Sequence, residues 1–144
     1  MTEAELVGAW SLVDFRVEFD DGRPAVHPFG EEAQGRLVYT AEGVVSAILA
    51  RADRPALGRG LETSALSSEE LKARAFDGTL GYTGRWRLEG DQVIHQVEIA
   101  QLPDVEGQEL RRRVRLVEGR LELSYERRTS SASLRRHRLL WERR

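Results

Sequence analysis

Apolar and polar residues change places at every step through most of this chain. "VDFRVEF" sets Val13, Phe15, Val17 and Phe19 against Asp14, Arg16 and Glu18. "LGYTGRWRLE" sets Leu80, Tyr82, Trp86 and Leu88 against Thr83, Arg85, Arg87 and Glu89. "VIHQVEIAQ" aligns Val93, His95, Val97 and Ile99; "LRRRVRLV" aligns Leu110, Arg112, Val114 and Leu116; "LELSYE" aligns Leu121, Leu123 and Tyr125. A period of two belongs to a strand with one buried face.

Two more β-rich runs occupy residues 35–40 and 44–50, joined by Ala41-Glu42-Gly43. A last run, residues 134–141, has no cleanly apolar register, so the direction of His137 and Trp141 stays open. "DDGR", "EGDQ", "VEGR" and "RTSSAS" supply turns between runs. Strands joined by successive hairpins form an antiparallel meander. About eight such strands are expected to close into an up-and-down barrel, because closure removes the exposed edges. The predicted fold is therefore all-β, an antiparallel eight-stranded barrel in a single domain over residues 1–144.

Two short helical pieces interrupt the strands. Thr2 and Glu5 form a capping box for a single N-terminal turn. Residues 51–67 read as a loop. Ser67 or Ser68 then caps a helix over 68–76, between strands three and four, with Leu71 and Ala75 on one face. This helix is expected to pack on one mouth of the barrel.

Composition excludes several functions. With 22 basic and 24 acidic residues the net charge is -2, too balanced to attract nucleic acid or a membrane surface. Arg111, Arg112, Arg113 and Arg115, and later Arg127, Arg128, Arg135, Arg136 and Arg138, sit on strands and read mainly as a solvated exterior. No aromatic residues are interleaved among them to stack bases. Cysteine is absent, which rules out disulfides, thiolate nucleophiles and cysteine-bound metals. Met1 to Ala9 is acidic and has no apolar secretion core, and no run is long enough to span a bilayer, so a cytoplasmic location is expected. His27, His95 and His137 lie on separate elements without ligand spacing, so no metal is expected. No phosphate loop or nucleophile elbow occurs, and no cofactor is expected.

A set of motifs in order gives a resemblance. "LVGAWSLVDF" carries the Gly-x-Trp start of the calycin barrels. "VHPFG" (26–30), "GRLVYTAEGVVSAILA" (35–50), "RADRP" (51–55), "GYTGRW" (81–86), "VIHQVE" (93–98) and "LLWER" (139–143) follow it. Together they resemble the bacterial and fungal lipocalin-like domain proteins over nearly the whole chain. The resemblance implies a small barrel with an internal cavity. Some related small barrels serve natural-product pathways.

The alternation then selects residues for that interior. Phe15, Val17, Tyr39, Leu80, Tyr82, Trp86, His95, Val97, Val114, Leu123 and Tyr125 are expected to line it. His95 is either a satisfied core imidazole or a polar group meeting a ligand, with a pKa open to tuning near neutrality. Arg112 either pairs with a buried carboxylate, meets an anionic or carbonyl group of a ligand, or is turned outward by a bulge. His27 and Phe29, around the stiff Pro28, are expected at a mouth, as imidazole and apolar plug. Trp10 is read as core, stacked under Arg138 or Arg143, and Ser46 as a minor pocket candidate. The expected partner is a small, mostly hydrophobic molecule, polyketide-like or fatty-acid-like, bound by a monomer or homodimer. The alternative is a cofactor-independent cyclase or isomerase that folds a flexible substrate in the barrel, with His95, Tyr82 and Tyr125 as catalytic groups.

Overall fold

A computed structural model describes residues 1–58, 68–128 and 133–144. Eight antiparallel strands follow one another around a closed barrel: β1 (Gly8–Phe19), β2 (Gln34–Tyr39), β3 (Val44–Ala50), β4 (Thr79–Glu89), β5 (Gln92–Ala100), β6 (Glu109–Val117), β7 (Arg120–Arg128) and β8 (Leu134–Arg143). The first strand pairs with the last, from Trp10 opposite Arg143 to Phe19 opposite Arg135. The helical turn α1 (Glu3–Leu6) has both halves of the Thr2–Glu5 capping box, and Ser68 caps α2 (Glu69–Asp77) between β3 and β4. The rest of the expected loop, 59–67, and the turn at 129–132 lie outside the described residues. None of the described helices is long and apolar enough to cross a membrane.

Directly paired residues share a face, so the register defines the inner wall. Trp10, Leu37, Ala47 and Tyr82 form one inward row across β1 to β4. Trp86, His95 and Leu110 form another, and Tyr125, His137 and Val17 a third. The open question of β8 is thereby decided: His137, Leu139 and Trp141 face inward. Arg112 stands opposite Val93 on the inner face.

One end of the barrel is plugged. Leu6, Trp10, Tyr39, Val45, Trp86, Val93, Leu121 and Trp141 pack into a single buried cluster there. The Trp10 indole N–H donates to the Leu6 carbonyl at 3.0 Å, which ties α1 across the opening. The Arg143 guanidinium lies 4.2 Å over the Trp10 ring and donates to the Val7 carbonyl. Arg138 does not stack there; it bridges Glu18 and Glu122 on the outer wall, at 3.1 and 2.6 Å.

The outer wall is built from ion pairs. Arg87 and Arg111 contact Glu89 and Glu109, Arg115 contacts Glu122, and Arg136 contacts Glu126. Ile94 points outward yet is fully buried, because Arg87 and Arg111 stand opposite it on both sides and their stems cover apolar surface. Ser46 also lies on the outer wall, hydrogen-bonded to the Thr83 hydroxyl at 2.7 Å, rather than in a pocket.

Two bulges break the simple alternation. In β1 the pairing with β8 skips Val13, so Leu12 and Phe15 pack inward and Val13 drops out of the inward series. In β5, Val97 pairs with Gly84 and Ile99 with Thr83, skipping Glu98. The extra residue reverses the facing, so Ile99 turns outward and is 65% exposed instead of sharing the face of Val97. Gly84 makes this bulge possible: a Cβ there would collide with the Gln96 carbonyl oxygen, whereas one at Gly81 meets nothing nearer than 3.6 Å. Gly84→Ala is therefore expected to destabilise the protein by about 1–3 kcal/mol in urea unfolding, while Gly81→Ala stays within about 0.5 kcal/mol of wild type.

Candidate functional site

Inward residues divide by access. Toward the plugged end and the middle, Tyr39, Trp86, His95, Val97, Val114, Leu123 and Trp141 are all at most 9% exposed. Toward the other end, Phe15, Leu80, Tyr82, Leu110, Arg112, Tyr125, His137 and Leu139 are only half-buried. Phe29, from the loop after β1, sits edge-on to Phe15 with centroids 6.0 Å apart. The upper half of the barrel is thus lined by half-buried, largely aromatic groups above a packed floor, and this lining is called the cup below.

His95 stands at the bottom of that cup. Its Nε2 is 2.7 Å from the Tyr39 hydroxyl and its Nδ1 is 2.6 Å from the Tyr82 hydroxyl. The two phenols come from β2 and β4, and the imidazole from β5, so only the closed sheet joins them. Burial pushes the His95 pKa down to about 3, helped by the positive charge of Arg112. This overturns the expectation of a value near neutrality: at physiological pH the ring is neutral and holds a single N–H. Burial also raises Tyr82 to about 12 and Tyr39 well above its ordinary value. All three groups are therefore uncharged.

Arg112 is the group whose positive charge acts on all three members of this cluster. Its guanidinium lies 3.8 Å over the Tyr125 ring and donates to the Arg111 carbonyl at 3.0 Å. Among the described residues no carboxylate lies within ion-pair distance of it, so neither the buried pair nor the outward turn describes it. Tyr125 in turn stacks on His137, with centroids 4.4 Å apart and planes within 7°. Burial lowers the pKa of His137, as do the charges of Arg127, Arg112 and Arg135. Its Nδ1 is buried without a protein partner among the described residues. Arg112, Tyr125 and His137 form one continuous stack along the cup wall.

The remaining expected site residues lie elsewhere. His27 contacts the Asp14 carboxylate at 3.2 Å, and Asp14 also binds Arg16 on the outer face of β1, so its imidazole stands apart from the cup. Val17, Val97, Val114 and Leu123 pack in the interior, and Trp86 donates its indole N–H to the Thr40 carbonyl at 3.0 Å. His137 enters the cup although its strand carries no readable alternation. A groove of about 530 Å³ also exists, but on the outer wall, lined by Arg113, Arg115, Glu122, Glu126, Arg136 and Arg138. Among the described residues no group of three His, Cys, Asp or Glu side chains could hold a metal ion.

A closed up-and-down barrel of eight antiparallel strands, plugged at one end, is a container-type fold suited to small molecules. The lipocalin-like domain matches residues 7–144, and the chain belongs to that family. No curated protein matches it.

The buried neutral imidazole makes stability depend on pH. In the unfolded chain a histidine takes up a proton near pH ~6.5, but folded His95 does not do so until about pH 3. The unfolded state then binds more protons, so stability falls as pH drops through this window. His137 shifts in the same direction. Glu122, despite the upward pull of burial, is held below 4.5 by Arg115 and Arg138, so its contribution is lost only at lower pH. The melting temperature should fall as pH drops below about 6.5 and go on falling toward about pH 3. His95→Gln, whose amide can both donate and accept, should flatten that slope without abolishing it. An unchanged slope would mean that His95 is already protonated in the fold.

Proposed function

We propose that this protein binds a small, mostly hydrophobic molecule with one anionic or carbonyl group in the upper half of its barrel. The observation that carries this reading is Arg112, a guanidinium on the inner wall with no carboxylate among its described neighbours. A cation kept inside a barrel is costly without a counter-charge, and a bidentate donor suits a carboxylate or carbonyl oxygen. Phe15, Phe29, Tyr125, Leu80 and Leu139 supply the apolar walls for the ligand body. A fatty-acid-like or polyketide-like compound has both parts.

Native mass spectrometry of the purified protein should reveal a small molecule that departs on denaturation. Titration with dodecanoate, followed by calorimetry, tests the head-group contact directly. Arg112→Met keeps the stem and removes the charge, and should weaken dodecanoate roughly ten-fold or more, in line with about 1.5–3 kcal/mol for a charged hydrogen bond. Equal affinities in the two proteins would remove Arg112 from the site.

A second reading is a cofactor-independent cyclase or isomerase. It is favoured by the Arg112 charge acting on the Tyr82 phenol from the same inner wall, where charge developing on a substrate carbonyl would be stabilised. His95 then positions Tyr82 rather than acting as a general acid, and Tyr125 holds Arg112. On this reading Tyr82→Phe should slow conversion of a linear polyketide-like precursor roughly 100-fold while binding survives. Unchanged turnover would leave the carrier reading alone.

A further inference from the structure

The His95 chain has a direction, and burial decides which. A neutral imidazole has one N–H and one bare nitrogen, so one tyrosine must donate to it and the other must accept from it. Whichever tyrosine accepts is left with its own O–H to place. Tyr39 is 1% exposed, and His95 is the partner its hydroxyl has among the described residues. If Tyr39 accepted from Nε2–H, its hydroxyl proton would be buried and unpaired, which costs its full desolvation. If it donates to Nε2 instead, nothing at the floor is orphaned. Nδ1 then carries the proton and donates to Tyr82, whose side chain, unlike that of Tyr39, is only part-buried, so its own hydroxyl proton is the cheaper one to leave free. Arg112, which also carries only donors, faces the same interior from β6, two residues along from the Leu110 that pairs with His95, and its charge acts on Tyr82 and His95.

We propose that Tyr39, without touching any ligand, fixes His95 as its Nδ1–H tautomer and so turns the Tyr82 O–H into the cup, where it and Arg112 form an all-donor clamp for an oxygen that only accepts. Tyr39 is a positioning residue, and Tyr82 and Arg112 determine specificity. The clamp selects carboxylates and ketones and rejects ammonium head groups. The ligand class rests on the binding reading above; the tautomer does not.

Two measurements separate the two. Long-range proton–nitrogen NMR on the ligand-free, nitrogen-labelled protein should assign the proton of His95 to Nδ1. Calorimetry with dodecanoate, 2-dodecanone and dodecylamine should then give binding of the first two and not of the amine. Tyr82→Phe should weaken 2-dodecanone roughly three- to ten-fold. Tyr39→Phe, which frees Tyr82 to donate to His95 instead, should weaken it similarly, and the double variant should lose no more than either single one. A merely structural Tyr39 would give additive losses, which overturns the positioning role. A proton on Nε2 in the wild type overturns the relay whatever binds. A proton on Nδ1 with none of the three probes bound leaves the relay standing and overturns the ligand clamp together with the binding reading. Should Tyr39→Phe fail to fold, the wild-type tautomer and Tyr82→Phe decide the matter.

Discussion

Pairing of the first strand with the last is the contact on which everything else here depends. Once β1 and β8 join, the sheet has no edge, and each strand must send alternate side chains into one shared interior. Volume inside is limited, so large groups packed at one end leave the other end the more accessible among the described residues. Trp10, Trp86 and Trp141 fill the plugged end with α1 tied across it. The half-buried residues of the upper barrel are the consequence.

Closure also explains the polar cluster. Tyr39, Tyr82 and His95 lie on three strands, and no local segment could bring their hydrogen-bonding atoms to 2.7 and 2.6 Å. In a dry interior each nitrogen and hydroxyl must find a partner, and the chain of three satisfies all but one hydrogen. That leftover hydrogen lies where the barrel is accessible. The arginines divide by the same logic: outward-facing Arg87, Arg111, Arg115 and Arg136 meet Glu89, Glu109, Glu122 and Glu126, while inward-facing Arg112 meets a π-face and no carboxylate among the described residues.

Much of the interior was legible in the sequence, because period two maps one residue to one face. His95, Tyr82, Tyr125 and Phe15 were placed inward from alternation alone, and the register puts them there, while Arg112, which the sequence left open between the two faces, stands opposite inward-facing Val93. Ile99 was misplaced because a bulge adds one residue and inverts every later side chain, and its only local trace is the small Gly84 on the neighbouring strand. His137 was unreadable because β8 alternates arginines with bulky apolar groups on both faces. His27 was read as a mouth residue from its loop, but the Asp14 carboxylate draws it to the outer flank.

The sequence by itself determined the strand count, the hairpin order, the helix caps and the absence of any cysteine chemistry. These follow from periodicity, turn residues and composition, which are properties of short segments. The tertiary structure decided the partners: that Arg143 rather than Arg138 covers Trp10, that His95 bridges two tyrosines, and that its ring is neutral. Those facts depend on distances between strands far apart in the chain and on how much water each group has lost, and alternation within one strand carries neither quantity.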